Sequence, residues 1–135
     1  DMEIISKRVG EEHARDCYNW KSMGELGLRT SGGSDCPVEP FNILDNLRAA
    51  VTRQNRAGTR TYLPEQALTV EEGLRLFTSN AAWASRDEAV RGTLELGKLA
   101  DLVVLDGDLF STDPAQFPQI SVWETVLNGK TVFHR

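Results

Sequence analysis

Along this chain the spacing of apolar positions changes several times, and each change predicts a different element. Residues 10–27 carry helical spacing. His13, Asp16, Cys17, Trp20 and Met23 share a stripe, and Gly24 and Gly27 close it, so one helix is expected there. The period is lost over residues 30–40, a run of small residues holding one acid. It returns at Ile43, Leu44, Leu47, Ala50 and Val51, with Asp45, Asn46, Arg48, Arg53 and Gln54 opposite, which predicts an amphipathic helix lying on a core. Residues 55–68 contain Gly58 and Pro64 and read as a loop. Thr69-Val70-Glu71-Glu72 then fits a capping box, and Leu74, Phe77, Ala81 and Ala84 mark the buried stripe of the helix it starts. Gly73 inside that helix costs about 1 kcal/mol relative to Ala, which implies close packing against a neighbour.

From Gly92 onward the pattern is that of strands. Leu102-Val103-Val104-Leu105 is a continuous apolar run between two aspartates, expected to be a strand covered on both faces. Residues 122–127 and 130–133 flank Asn128-Gly129, the favoured pair for a two-residue hairpin turn. We place a boundary near Arg91, dividing the chain into segments 1–91 and 92–135. Helix, small-residue strand, helix is the order of one repeat of an α/β layer, whose working face lies at the strand's C-terminal end.

That small-residue strand carries the most chemistry. With side chains alternating, Ser31, Gly33 and Asp35 face one way, so the acid stands on an otherwise bare face with room for a ligand. Glycines weaken a strand interior, and close approach of substrate, metal or a neighbouring backbone would account for them. Pro37 stops the strand and biases Cys36 toward an extended conformation.

Charge narrows the function classes. The net charge is −5 and the pI about 5.0, without a long run of one sign, which argues against a nucleic-acid surface. No apolar stretch approaches the roughly 20 residues of a membrane helix, and the opening Asp1-Met2-Glu3-Ile4-Ile5 lacks the features of a signal peptide. The first residue is not Met, so a piece of a longer protein is expected. Cys17 and Cys36 have no zinc-type spacing and are expected to be free thiols, which suggests a reducing, cytoplasmic setting.

Asp35 is the candidate catalytic acid or base, and two readings fit it: a group acting on a ligand, or a side chain capping the turn that follows. Glu39 could pair with it, but paired carboxylates acquire meaning only with a measured separation. His13 and His134 read as surface residues and cannot build a metal site alone. Cys36 has no activating His nearby and reads as a structural thiol. Asp106-Gly107-Asp108 lacks the further ligands of a calcium loop and reads as a turn after a strand.

Taken together, Gly33-Ser34-Asp35-Cys36-Pro37-Val38-Glu39-Pro40, Ala50-Val51-Thr52-Arg53, Leu68-Thr69-Val70-Glu71-Glu72 and the run from Gly97-Lys98-Leu99-Ala100-Asp101 through Asp106 are more specific than any one alone. Their order and spacing resemble the C-terminal third of a metal-dependent amidohydrolase of the YtcJ-like branch, amidohydrolase family 3, which includes exoenzyme regulatory proteins of the AepA type. The resemblance covers nearly the whole chain. It implies an α/β fold: the last strand and flanking helices of a (β/α)8 barrel, then the closing strands of a small β-sandwich. It also implies that Asp35 is a metal ligand and the general base toward the attacking water, with zinc or a similar divalent metal as cofactor. The His-x-His pair, the bridging Lys or carboxylate and the later histidines of that family have no counterpart here, so this chain alone is expected to be inactive and to bind no catalytic metal. The parent would hydrolyse a non-peptide C–N bond, an amide or cyclic amide, in a small-molecule substrate. A non-catalytic regulatory or interaction module on the same scaffold is the alternative. A lone barrel strand exposes two edges, so self-association, or re-packing of the helices on the sandwich strands, is expected.

Overall fold

The computed structural model describes residues 4–135; Asp1, Met2 and Glu3, which begin the first expected segment, lie outside the described residues. Five short helices precede a small antiparallel sheet. The helix expected over residues 10–27 is instead two, α1 (Ile5–Ala14) and α2 (Trp20–Glu25). Gly10 leaves helical geometry at φ 82°, and Tyr18 in the break takes φ 61°. A long-range contact overrides the local stripe: the Tyr18 carbonyl accepts a hydrogen bond from Arg53, 35 residues on. Gly27 (φ 79°) does end α2 as expected. Leu28 N–H bonds the Met23 carbonyl and Gly27 N–H the Gly24 carbonyl, a Schellman closure that needs a left-handed residue.

Helix α3 (Ile43–Thr52) starts where Asn42 accepts the Leu44 N–H and ends at Arg53 in the left-handed region, φ 55°. Helix α4 (Val70–Phe77) begins with the expected capping box: Thr69 Oγ1 accepts the Glu72 N–H while Glu72 Oε2 accepts the Thr69 N–H. Thr78 separates it from α5 (Ser79–Ala84). Gly73 has its explanation in α3, because a Cβ there would lie 2.5 Å from Leu47 Cδ1. The close approach inferred from an interior glycine is therefore a helix–helix contact.

The sheet runs β1 (Leu102–Leu105), β2 (Val122–Leu127), β3 (Lys130–His134) in that spatial order. Leu102 faces Val126 and Thr125 faces Phe133, with one irregularity in each pairing. Asn128 and Gly129 both have positive φ, the geometry of the expected hairpin turn, and the turn is tied to the approach to β1 by Asn128 N–H to Asp101 and Gly129 N–H to the Ala100 carbonyl. The expectation that β1 is covered on both faces is corrected: Val103 and Val104 are exposed, since among the described residues this sheet is a single layer.

The core joins helices to the sheet's connections. Leu47 of α3, Leu109 and Phe117 form one buried cluster, with Val70, Leu74, Leu105 and Ile120 packed on it. Phe117 is delivered by a 3-10 turn, Pro114–Gln119, whose start is capped by Asp113 accepting the Ala115 N–H. Ala50, Leu68 and Leu76 form a second cluster beneath Trp20 and Phe77.

Candidate functional site

Residues 28–34 run without turn or helix, yet they pair with no strand, so the small-residue strand is corrected to an unladdered segment. A parallel barrel strand takes its hydrogen bonds from neighbours on both sides, and among the described residues no such neighbour exists. The expected alternation survives: Ser31, Gly33 and Asp35 are exposed, while Gly32 and Ser34 are partly covered. The two glycines have different causes. A Cβ on Gly32 would meet the Phe77 ring at 2.6 Å, whereas one on Gly33 would meet nothing within 4 Å. The open face is thus the one that carries the acid.

Asp35 takes φ 52°, a left-handed conformation that Asp tolerates better than most residues. The turn after it is closed by Val38 N–H to the Asp35 backbone carbonyl. The carboxylate does not cap that turn, and among the described residues it has neither a hydrogen bond nor an ion pair. It is left free on the wall of an open cleft of about 740 Å³ that Glu39 also lines, with Asp45, Asn46 and Arg53 on the α3 side.

The sequence pattern puts Arg48 and Arg53 on the outer side of α3, but both are buried, Arg53 with 3% exposure. Arg53 donates from Nε to the Tyr62 carbonyl (3.0 Å) and from Nη1 to the Tyr18 carbonyl (3.2 Å). Its guanidinium stands 4.9 Å from the Trp20 ring centre and 5.8 Å from that of Tyr62. Burial pulls its pKa below the usual value, but a guanidinium stays charged at neutral pH. Tyr62 in turn donates its hydroxyl to the Ala14 carbonyl, and burial raises its pKa. No local pattern signals this hub, because its partners are backbone carbonyls 9 and 35 residues away in the chain.

Two further ties fix α2 beside the cleft. Gln66 Nε2 donates to Ser22 Oγ (2.7 Å) and Gln66 Oε1 accepts the Ser22 N–H, while Lys21 Nζ donates to both oxygens of Glu72 at 2.8 and 3.0 Å. The Lys21 hydrogen bond, then that from the Thr69 N–H, holds the Glu72 carboxyl below its ordinary value; Lys21 is raised in return.

The other candidates lie outside this constellation. His13 and His134 are exposed, the latter edge-on to Trp123. Cys17 and Cys36 are free thiols. The chain bends at Asp106 and Gly107 after β1 and enters a turn capped by Asp108, which accepts the Phe110 N–H, while Asp106 accepts the Ser121 N–H from across the fold. No three His, Cys, Asp or Glu residues gather into a metal site among the described residues. A zinc site takes three or four protein ligands, so these residues do not make one; the donor chemistry present suits one ligand of a shared set. Among the described residues, no helix is long and apolar enough to cross a membrane.

Residues 1–133 match the amidohydrolase family. The Bacillus subtilis protein named amidohydrolase YtcJ is 32% identical over all of this chain and 26% of its own length. The N-substituted formamide deformylase of Arthrobacter pascens is 32% identical over 98% of this chain and 24% of its own. A solved mutant of the atrazine chlorohydrolase TrzN from Arthrobacter aurescens, complexed with zinc and atraton, superimposes with a TM-score of 0.59 at 25% identity, over 84% of this chain and 27% of that one. The chain therefore spans about a quarter of the length of the relatives it matches.

Proposed function

Because the chain belongs to the amidohydrolase family, we propose that it is the C-terminal portion of a metal-dependent hydrolase that cleaves a non-peptide C–N bond, an amide or cyclic amide, with Asp35 as metal ligand and general base. One observation carries this reading. The Asp35 carboxylate is exposed on the open face of its segment and is not used to cap the turn it begins. In this role it accepts a proton as the water oxygen bonds to the substrate carbonyl carbon, then passes that proton to the nitrogen as the C–N bond breaks. A bound divalent metal, zinc as in the TrzN structure, supplies acidification of water and polarisation of the carbonyl. The remaining ligands and the oxyanion donors belong to the rest of the protein, as do the barrel strands flanking residues 28–34.

The (β/α)8 barrel and the division near Arg91 are parts of the same proposal. The deformylase relative makes N-substituted formamides the first substrates to try. The experiment is hydrolysis by the full-length protein of N-alkyl and N-benzyl formamides, simple amides and cyclic amides, with and without a chelator. Amine release that the chelator abolishes and zinc restores is expected. A folded, zinc-loaded protein that cleaves none of the panel would favour the regulatory or interaction module instead.

A further inference from the structure

We propose that Val38 is a specificity-determining residue that sets the size of the apolar substituent accepted on the amide nitrogen; this inference rests on the role given to Asp35 above. Val38 lies in the loop that follows Asp35, and that loop is closed by its own chain. Val38 N–H donates to the Asp35 carbonyl at 2.9 Å and Glu39 N–H to the Ser34 carbonyl at 3.2 Å. At the far end Asn46 Nδ2 donates to the Asn42 carbonyl at 2.9 Å and to the Pro40 carbonyl at 3.4 Å, which ties the loop to the start of α3. All of these bonds lie within residues 34–46. The barrel strands proposed to flank residues 28–34 in the full-length protein therefore leave the closure of this loop as it is.

The closure decides which side chain stands beside the acid. A turn in which residue i+3 bonds back to residue i holds the two Cα atoms within about 7 Å. Asp35 and Val38 are such a pair, and both line the cleft wall, whereas Cys36 and Pro37 between them do not. Val38 is 64% exposed and belongs to neither buried cluster, so its side chain is not spent on the core. Glu39, the next residue on that wall, is charged, which leaves Val38 as the apolar neighbour of the acid within this turn. The chemistry assigned to Asp35 fixes which part of the substrate arrives there. A carboxyl group that hands a proton to the leaving nitrogen stands about 3 Å from it, so the substituent on that nitrogen starts next to Asp35 and meets the side chain beside it. A hydrophobic contact of this kind discriminates about 10- to 200-fold for each methylene.

The test uses the full-length, zinc-loaded protein with N-methyl and N-benzyl formamide. The ratio of their kcat/KM values is measured for the parent, Val38→Ala, Val38→Phe and Asp35→Asn. A ratio cancels any loss of activity common to both substrates, so a merely structural role for Val38 would not move it. Val38→Ala opens space and should raise the benzyl-to-methyl ratio about 10-fold; Val38→Phe fills space and should lower it about 10-fold. If Val38→Phe does not fold, Val38→Ala decides. A ratio that is unchanged, or that moves the same way in both variants, beside an inactive Asp35→Asn, refutes the assignment of Val38 and leaves the role of Asp35 standing. An active Asp35→Asn, or no turnover by the parent, removes that role, and Val38 is then judged by binding alone. Titration calorimetry with the same two formamides should show the ratio of their Kd values shifting in opposite directions in Val38→Ala and Val38→Phe. Unshifted ratios, or a parent that binds neither compound, refute the proposal.

Discussion

Gly73→Ala sets helix propensity against core packing at the contact of α3 with α4. Replacing an interior glycine by alanine favours the helix by about 1 kcal/mol. The added methyl, however, would lie 2.5 Å from Leu47 Cδ1 and 3.5 Å from Val51 Cγ2. Carbon atoms rest about 3.5–4.0 Å apart, so Leu47 must retreat by about 1 Å. It has little room, being fully buried against Leu109 and Phe117. Overpacking of this kind costs about 1–3 kcal/mol, so the balance is a net loss of about 1 kcal/mol. For a chain of this size, thermal denaturation should show the midpoint falling by about 3–5 °C. A double-mutant cycle isolates the cause. Leu47→Ala alone should cost about 2–5 kcal/mol, and about 1 kcal/mol less in the Gly73→Ala background, where the new methyl fills part of the vacated space. A Gly73→Ala variant that melts higher than the parent and shows no coupling to Leu47 would refute the packing argument.

Three further outcomes are expected. Arg53→Met removes two hydrogen bonds from a charged donor, worth about 1.5–3 kcal/mol each, and part returns because a buried charge disappears; a net loss of about 2–3 kcal/mol is expected in urea denaturation, with altered Trp20 fluorescence. A loss below about 0.5 kcal/mol would mean the hub is replaceable by packing alone. The Lys21–Glu72 pair gives a pH dependence with a definite sign. Glu72 is lowered by Lys21, so its contribution is present above the unfolded carboxyl value of about 4.3 and lost as pH falls through the lower folded value. Lys21 is raised by Glu72, so its contribution holds below about 10.4 and is lost as pH rises through the higher folded value. Urea midpoints measured from acid to neutral pH should therefore show a shallower acid limb in Glu72→Gln than in the parent, and identical limbs would count against the pair. Thr69→Ala removes the hydroxyl half of the capping box and should cost about 1 kcal/mol, read from the same denaturation curves; an unchanged midpoint would contradict the cap's contribution.

Features that depend on near neighbours in the chain are legible in the sequence itself. The capping box at Thr69 and Glu72 and the Asn128-Gly129 turn need only residues within a few positions, and both form as expected. The close packing at Gly73 is legible too, because an interior glycine carries a cost that something must offset. What the chain hides are interactions closed over long separations. The stripe from His13 to Met23 continues through the break at Tyr18, and the long-range hydrogen bonds that Tyr62 gives the Ala14 carbonyl and Arg53 the Tyr18 carbonyl are invisible locally. An arginine on the polar side of an amphipathic pattern gives no sign that backbone carbonyls will draw it inward. Ser31 to Asp35 alternate as expected, but a strand is a relation between two segments, and the described residues hold only one of them. For the same reason Asp35 is recognisable as a candidate, while the further ligands that the proposed metal site requires are not.

The central claim is that the Asp35 carboxylate takes the proton of the attacking water. Asp35→Asn in the full-length protein tests it most directly, because the amide has nearly the same shape but cannot serve as that base. The variant should keep the circular dichroism spectrum of the parent, lose at least about 100-fold in kcat/KM on amide substrates, and bind zinc more weakly. Turnover at the parental rate with zinc bound would contradict the claim.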